Sequence, residues 1–437
     1  MYQKIASFVT SSIAAIGALA ALALLPSWSL VLACAVLVGW FSLTRVGRQA
    51  WSVAQMGMAT LPQRPGAASV VVVGIAGVVG VLVALLSLAQ GLESTLRQAG
   101  TDDTAIVLRA GSQTEISSSL DRDTATIAGE EPEVLRDARG QPMASPELIT
   151  VASLPKSSDG RPANVAIRGV EQAAWGVHPD VRILAGRRFT PGLRELIVGK
   201  AAAREFKGLT LGSSVVLGGQ PWTIVGEFDS GNAHDSELWA DVDVVASVYR
   251  HGSNVSSLTV RLSNAAHFQA FKAALAGDPR LKVDVSTTRT YYEKQSEALG
   301  RMIRILGTTV AIIMAVGAVF GALNTMYTAI AIRTREIATL RAMGFRSAPV
   351  VVSVLTETIL LALAGGALGA ALAWALFGHY TASTLGSNFS QVVFEFRVTP
   401  ALLAAGLKWA VAIGLIGGLL PALLAARMPV TSGLKAL

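Results

Sequence analysis

The chain has 437 residues, of which 52% are hydrophobic and 15% are charged, and its formal net charge is +7. This composition is typical of a membrane protein and argues against an ordinary soluble domain. Most basic residues outside the long polar region flank apolar runs, so the charge indicates membrane topology and not a nucleic-acid partner.

The amino-terminal segment predicts a transmembrane hairpin over residues 1–44. Pro26 separates two apolar runs, 5–25 and 28–44, and each is long enough, or nearly so, to cross about 30 Å of hydrocarbon. A cleaved signal peptide is disfavoured, because the second run follows at once and no clear small-residue cleavage site intervenes. The single cysteine, Cys34, lies in the second run and is expected to be a buried small hydrophobe, since it has no intramolecular disulfide partner.

Residues 45–68 predict an amphipathic helix lying in the membrane interface, with a plain linker as the alternative, because apolar and polar side chains interleave there. A third span is expected at residues 69–91. Gly74, Gly77 and Gly80 give this span a small-residue face suited to close helix packing.

Residues 92–300 are polar and rich in strand and turn signals, which predicts a folded domain outside the lipid. Strands are expected at 104–108, 148–153, 164–168, 258–262 and 282–285, and helices at 120–128 and 265–276, the second one capped by Asn264. Gly218 and Gly219, between 214–217 and 222–225, indicate a hairpin. A β-α-β unit near each end of this region favours a mixed α+β domain of two lobes.

A helical pattern begins at Thr290 and runs without a breaker into a fourth span at 302–323. About 33 helical residues would measure roughly 50 Å, more than the hydrocarbon core requires. Its first turns are therefore expected to stand out of the membrane as a stalk, and residues 93–98 to extend the third span likewise. A fifth span at 350–377, a polar outer loop and a sixth span at 401–425 follow.

The predicted fold is a polytopic α-helical membrane protein of six spans with a large extracytoplasmic mixed α+β domain of two lobes. Residues 301–437 hold its last three spans and a cytoplasmic helix at 334–343. The segments placed inside carry the basic residues Lys4, Arg45, Arg48, Arg64, Arg333, Arg335, Arg341, Arg346, Arg427 and Lys435. The two short outer loops carry only Arg397, so both termini are expected in the cytoplasm and residues 92–300 outside.

The stretch between the fourth and fifth spans is too polar to lie in lipid and too regular to be a loose loop. Apolar residues recur there at roughly helical spacing: Ile330, Ile332, Ile337, Leu340 and Met343. Charged residues lie between them: Arg333, Arg335, Glu336 and Arg341. Thr334 is expected to cap the helix, and Gly344, before Phe345, to end it. These signals predict a short amphipathic helix that presses against another protein, with Ile337, Leu340 and Met343 near one face.

Few motifs in the sequence carry chemistry. No G-x-x-x-x-G-K-[ST] occurs, so the chain is not expected to hydrolyse ATP through a P-loop. The five histidines are scattered, which disfavours a zinc site, and the acidic stretch 229–243 is expected to be a loop leading into a hairpin. Glu357 lies about one turn into the fifth span. Because a carboxylate there needs a partner, it is expected to pair with an arginine of the preceding loop, to connect that loop to the span, or both.

Several separate stretches resemble the MacB/FtsX-like (type VII) permeases of ABC transporters. LNTMYTAIAIRTREIATLRAMGF resembles the family's cytoplasmic helix, and GLIGGLLPALLAARMPVTSGLKAL its carboxyl-terminal end. TETILLALAGGALGAAL resembles the start of a span and holds Glu357 and Gly366, with Gly365 and Gly369 expected to pack against another helix. In the outer region NVAIRGVE, LAGRRF, ELIVGKAAAREFKGLTLG and WTIVGEFD resemble the periplasmic domain. The resemblance covers about residues 64–437 and leaves the predicted hairpin at 1–44 without a counterpart in four-span members.

The resemblance implies a dimer of permeases, identical or related, bound in the bacterial inner membrane to a dimer of separate ATPase subunits. ATP would then be bound by the partner, and this chain would have no cofactor or metal of its own. A role in coupling to the ATPase is implied for Arg333, Thr334, Arg335, Glu336, Ile337, Leu340, Arg341, Met343, Gly344 and Phe345. Closure of the ATPases would move the outer domains, a mode called mechanotransmission.

Three functions remain open from the sequence. The first is export of a substrate through a periplasmic adaptor and an outer-membrane duct, favoured by the size of the outer region. The second is lipoprotein release or control of a cell-wall hydrolase by an FtsX-like permease. The third, of another class, is a non-transporting membrane sensor, which the sequence supports least because no signalling domain is attached.

Overall fold

The computed structural model describes residues 39, 42–59, 65–343, 347–378 and 380–427. The predicted hairpin at 1–44 lies almost wholly outside this range, as do Gly344 and Phe345. Two compact units make up the fold. Of the described residues, the helical unit comprises those up to 89, those from 302 to 380 and those from 396 on, and the sheet unit comprises residues 90–301 and 381–395.

Helices and strands of the described residues are numbered separately, each from the amino-terminal end. The helices are α1 (Arg45–Ala59), α2 (Pro65–Gln98), α3 (Arg122–Gly129), α4 (Ala174–Val177), α5 (Lys200–Glu205), α6 (Val242–Tyr249), α7 (Phe268–Gly277), α8 (Thr288–Ile332), α9 (Thr334–Ala342), α10 (Ser347–Phe377) and α11 (Pro400–Arg427). The strands are β1 (Thr104–Arg109), β2 (Ala144–Pro155), β3 (Pro162–Val170), β4 (Arg182–Gly186), β5 (Glu195–Gly199), β6 (Ser214–Leu217), β7 (Gln220–Asp229), β8 (Glu237–Asp241), β9 (Ser257–Arg261), β10 (Val283–Thr287), β11 (Thr381–Leu385) and β12 (Gln391–Glu395).

Within the described residues, four helices are long and apolar enough to cross a membrane: Ala68–Gln98, Thr288–Ile332, Ser347–Phe377 and Pro400–Arg427. They contain the predicted third to sixth spans, whereas the first two lie outside the described range. The helix begun at Thr290 was predicted to have about 33 residues, but α8 has 45. No proline interrupts it, so at 1.5 Å per residue it measures roughly 68 Å.

The helical unit is held together by side chains from all four long helices. Its core includes Ile75, Val79 and Leu82 of α2, Ala315 and Val319 of α8, Ala362 of α10 and Ile413 of α11. Two of these residues, Ala315 and Ala362, are small, which lets helix backbones approach closely there.

The sheet unit is built on one mixed sheet in the order β10-β1-β9-β2-β3-β8-β5-β7-β4, with β6 also paired to β7. The pairs β3–β8 and β5–β7 are parallel and the others are antiparallel. The predicted strands and the hairpin at Gly218 and Gly219 are confirmed, and both glycines have positive φ, at 57° and 75°. Asn264 caps a short 3₁₀ turn before α7, accepting from the Ala266 N–H at 3.1 Å. The architecture is therefore mixed α+β, as the pattern predicted.

The polar loop predicted between the fifth and sixth spans is folded. Its strands β11 and β12 form an antiparallel hairpin that belongs to the sheet unit. Ser383 accepts from Lys156 Nζ at 2.9 Å and donates to Glu205 Oε1 at 2.7 Å. Asn164 Nδ2 donates to Phe389 O at 3.0 Å. Polar contacts, rather than a large apolar face, thus hold the hairpin, which is why hydrophobic periodicity did not predict it.

Candidate functional site

The helix predicted between the fourth and fifth spans is α9, and a single non-helical residue, Arg333, joins it to α8. Arg333 has φ −98° and ψ 11°. Its N–H donates to Ala329 O and Ile330 O at 3.3 and 3.1 Å, and its carbonyl accepts from the Ile337 N–H at 3.0 Å. The backbone of Arg333 therefore makes the last hydrogen bonds of α8 and the first hydrogen bond of α9.

The prediction that Thr334 caps α9 is wrong. Arg333 occupies the cap position and makes no side-chain capping bond. Thr334 Oγ1 donates back to Ile330 O and Ala331 O at 3.0 and 2.9 Å. The physical reason is that α8 continues up to Arg333, so its last carbonyls accept the hydroxyl hydrogen bond.

The guanidinium of Arg333 joins α9 to α10. Its Nη1 lies 3.3 Å from Glu357 Oε2, and its Nε lies 3.1 Å from Glu336 Oε2. The side chains of Arg333 and Glu357 are 13% and 7% exposed, whereas that of Glu336 is 63% exposed. Glu357 thus pairs with an arginine that precedes its span, as predicted, and the pair also connects the two helices. Removing one partner of such a buried pair typically costs about 3–5 kcal/mol.

Helix α9 buries one side and exposes another. Ile337 and Ala338 are 8% and 4% exposed and pack in the helical unit, whereas Met343 is 64% exposed. We call the exposed side the exposed stripe, and it consists of Arg335, Glu336, Thr339, Ala342 and Met343. Ile337 and Met343 were predicted to lie near one face of the helix. Both line the cavity between α1, α9 and α10 described below, although Ile337 is buried and Met343 is largely exposed. The side chain of Leu340 lies outside the described residues.

The segment predicted at 45–68 forms a helix over Arg45–Ala59, while residues 65–68 belong to α2. Helix α1 also packs against protein. Its residues Ala50, Val53 and Ala54 are at most 4% exposed, whereas Trp51 is 44% exposed. Val53 O accepts a hydrogen bond from Ser353 Oγ of α10 at 3.2 Å. Helices α1, α9 and α10 together line a cavity of about 310 Å³ whose walls are mostly apolar. Helix α1 therefore packs against α10 and borders the same cavity as α9.

The glycine contacts between α2 and α10 only partly match the prediction. A Cβ at Gly365 would lie 2.7 Å from Val72 O, and one at Gly369 would lie 2.4 Å from Ala76 O. No side chain fits there, so these two glycines do bring the helices together. On α2, a Cβ at Gly77 or Gly80 would make only ordinary contacts, at 3.8 and 3.5 Å. At Gly74 it would meet no described atom within 4 Å, so a packing role for that residue stays a prediction.

A cluster of buried charges lies in the sheet unit and was not predicted. Arg168 of β3 is 1% exposed, and its guanidinium contacts three carboxylates. It donates to Glu115 Oε1 at 2.8 Å, to Glu147 Oε2 at 2.5 Å, and to both oxygens of Glu237 at 2.7 and 2.8 Å. We call Glu115, Glu147, Arg168, His178, His234 and Glu237 the Arg168 cluster.

Two histidines extend the Arg168 cluster. His178 Nε2 lies 2.8 Å from Glu147 Oε1, and His234 Nδ1 lies 3.2 Å from Glu237 Oε2. Burial alone would raise the pKa of Glu147, but His178 and Arg168 outweigh it and hold that pKa at about 2. The pKa of Glu237 is likewise low, because Arg168 and His234 outweigh its burial. These two carboxylates are therefore ionised inside the protein.

The cluster escaped prediction because its members are scattered along the sequence from residue 115 to residue 237. Glu147, Arg168 and Glu237 lie on the neighbouring strands β2, β3 and β8. The stretch 229–243, expected to be a loop before a hairpin, instead contains the buried strand β8, so that prediction is wrong. A charged residue in the middle of an apolar strand pattern, such as Arg168 in NVAIRGVE, was the one local signal. No group of residues suited to holding a metal ion is found in the part of the chain that the structure describes.

Two stretches of the chain match models of known protein families. Residues 68–277 match the MacB-like periplasmic core domain, and residues 308–430 match the FtsX-like permease C-terminal region. Four apolar helices together with a MacB-like periplasmic domain fit a membrane protein with a domain in the periplasm. The chain belongs to the MacB/FtsX-like family of ABC transporter permeases.

Similar proteins include two named macrolide export ATP-binding/permease protein MacB. The one from Bordetella avium is 23% identical over 386 residues, which cover 83% of this chain and 56% of that protein. The one from Photorhabdus laumondii is 30% identical over 227 residues, covering 50% of this chain and 34% of that protein. This chain therefore spans from about a third to just over half of their lengths.

Solved structures similar to the chain include the periplasmic region of MacB from Actinobacillus actinomycetemcomitans, with a TM-score of 0.35 and 15% identity. That match covers 46% of this chain and 96% of the other. The extracellular domain of the noncanonic ABC-type transporter YknZ from Gram-positive bacteria gives a TM-score of 0.33 and 17% identity, covering 42% of this chain and 100% of the other.

Proposed function

We propose that this chain is the permease subunit of an ABC transporter. In this proposal a separate ATPase subunit hydrolyses ATP, and its movement drives a conformational change in the periplasmic domain by mechanotransmission. The change drives export of a substrate. The 437 residues contain no P-loop motif, which supports placing ATP hydrolysis outside this stretch of sequence.

The main support for the proposal is the way α9 packs in the helical unit. One side of α9 is buried in the helical unit, while the exposed stripe offers an apolar residue, Met343, beside Arg335 and Glu336. The Arg333–Glu357 pair fastens the start of the helix to α10. A force applied to the exposed stripe would therefore reach two long helices, because α8 is joined to α9 by one residue and α10 by the ion pair.

The wider assembly is part of the same proposal. The names of the relatives from Bordetella avium and Photorhabdus laumondii combine an ATP-binding with a permease function and specify macrolide export. These names support efflux by this chain. A periplasmic adaptor and an outer-membrane duct are further parts of the proposal. The assembly would contain two permeases and two ATPase subunits in the bacterial inner membrane.

The test changes Met343 of the exposed stripe, which also borders the cavity between α1, α9 and α10, and keeps the buried residues Ile337 and Ala338 of α9 unchanged. In Met343→Asp a charge replaces a side chain whose burial against a partner would contribute about 1.5–3 kcal/mol. We expect the ATPase to bind roughly ten- to a hundredfold more weakly. The measurement is recovery of the ATPase subunit with the purified permease, together with coupled ATP hydrolysis.

Val216→Asp is the matched control, because Val216 is 66% exposed on β6 of the sheet unit and undergoes the same change of charge. It should leave ATPase binding unchanged. Full recovery of the ATPase with Met343→Asp, at unchanged hydrolysis, would remove α9 as the docking element.

A further inference from the structure

Helix α1 covers the first part of one face of α10. Val53 O accepts a hydrogen bond from Ser353 Oγ at 3.2 Å, and Ser353 is 5% exposed. Seven residues further along α10, Leu360 is 38% exposed. Since seven residues at 100° each fall about 20° short of two full turns, Ser353 and Leu360 lie on the same side of the helix. The cover that α1 provides therefore ends partway along this face.

Beyond Ser353 this face is exposed and consists mainly of small side chains. We call it the alanine face, and it consists of Leu360, Ala364, Ala367, Ala371 and Ala375. These residues fall within about 80° of one another around the helix. Small residues at intervals of three or four let a second helix approach closely. The alanine face is therefore suited to packing against an apolar helix.

The chain that precedes α1 leads to this surface. Gly39 and Ser42 are in helical conformation, and Ser42 Oγ donates to Gly39 O at 3.1 Å. Thr44 separates them from α1 and caps that helix, because Thr44 Oγ1 accepts from the Gly47 N–H at 2.9 Å. The apolar run 28–44 therefore ends in helical residues and turns at Thr44 directly into the helix that packs on α10.

The run 28–44 has a small face of its own. Ala35 and Gly39 lie four residues apart and Ser42 follows three residues later, which puts all three on one side of a helix. The alanine face repeats this spacing, so two faces of small residues can meet with their backbones close together. As a helix, the 17 residues of the run would measure about 26 Å, which is enough to cover the alanine face.

We propose that the predicted span 28–44 packs on the alanine face of α10, antiparallel to that helix. Helix α1 sets this direction, because it follows the end of the span and packs on the first part of α10. The span then forms a second layer over the helix that the Arg333–Glu357 pair joins to α9. Lipid chains and a second copy of this chain are the alternative occupants, and cross-linking distinguishes the three.

The test is disulfide cross-linking of the 437-residue chain in membranes without the ATPase, so its result does not depend on the proposed function. Cys34→Ala removes the one native cysteine. In that background, Ala35→Cys and Ala364→Cys place two thiols about 14 Å from Thr44 and about 17 Å from Ser353 along their helices. On oxidation most chains should form an internal disulfide, because the two Cα atoms would lie within the ~7 Å that this bond permits. Mass spectrometry of the joined peptides is the measurement.

Two control pairs use the same background. Leu37→Cys with Ala364→Cys tests the side of the span, because Leu37 lies about 160° around a helix from Ala35. Ala35→Cys with Tyr327→Cys tests the choice of helix, since Tyr327 is 40% exposed on α8. Tyr327 and Ala364 lie six and seven residues from the Arg333–Glu357 pair, and so at similar depths. Each control should give less than a tenth of the internal disulfide.

Three outcomes would overturn the proposal. A product of twice the chain mass would place a second copy on the alanine face. No disulfide in any pair would leave that face to lipid. Equal yields from Ala364→Cys and Tyr327→Cys would show that the span has no fixed place on the helical unit.

Discussion

Single residues decide the charge balance inside the sheet unit. In the Arg168 cluster three carboxylates contact one guanidinium, and the pKa values of Glu147 and Glu237 are held low, so the charge on the His234 imidazole beside Glu237 affects the balance. An uncompensated buried charge is costly. Burial alone lowers the pKa of His234, but Glu237 outweighs it and the pKa lies above its ordinary value. The proton on His234 is thus part of what stabilises the folded state.

This leads to a prediction on pH. The pKa of His234 is higher in the folded than in the unfolded state. Its contribution to the free energy of unfolding is therefore fully present below the unfolded-state pKa of about 6.5 and is lost as pH rises through the folded-state pKa. The free energy of unfolding should therefore decrease as pH increases above about 6.5. Glu147 has the opposite dependence at low pH. Its contribution to the free energy of unfolding is lost as pH falls from about 4.5 towards its folded-state pKa of about 2.

His234→Gln should flatten the decrease above about pH 6.5. His251→Gln should not, because His251 is exposed. Chemical unfolding of the three proteins at several pH values is the measurement. If the free energy of unfolding of His234→Gln falls as steeply with pH as that of the unmodified protein, the decrease arises from other groups.

At the scale of elements, the contact between α2 and α10 depends on two glycines of α10. Gly369→Ala would place a methyl group 2.4 Å from Ala76 O, which a rigid backbone cannot accommodate. We predict that this variant forces the helices apart and lowers the Tm of the detergent-solubilised protein, since overpacking typically costs about 1–3 kcal/mol. Gly74→Ala is the matched control and should be tolerated or slightly stabilising, because alanine is the better helix former. Equal Tm values for the two variants would contradict the prediction.

Some elements and contacts of this fold could be predicted from the sequence and others could not. Strands such as β1 and β3, and the turn at Gly218 and Gly219, were predictable because local alternation and turn chemistry specify them. The pairing of Glu357 was predictable in kind, since a carboxylate in a span needs a partner. The Arg168 cluster was not, because its residues are brought together only by the order of strands in the sheet. The burial of Ile337 likewise depends on packing against other helices, which a periodic pattern alone does not specify.

At the scale of the whole molecule, the charge asymmetry of the short loops yields a topology that can be tested. In a Cys34→Ala background, a cysteine placed at the exposed Ser158 should react with an impermeant reagent added to cells whose outer membrane has been permeabilised. Cysteines at Gln49 and Ser347, also exposed, should react only after the inner membrane is opened. Labelling at Ser347 in cells with an intact inner membrane would reverse the proposed orientation.

The hairpin formed by β11 and β12 has a consequence for protein engineering. The sheet unit is not one continuous stretch of sequence, because residues 381–395 join it from between two apolar helices. A soluble fragment cut at residues 90 and 301 would leave Asn164 and Glu115 without their partners Phe389 and Asn388. It would also open to bulk water the small cavity beside the Arg168 cluster that the hairpin helps to line. A version meant for crystallisation or ligand screening should therefore carry both stretches in one polypeptide, joined by a designed linker.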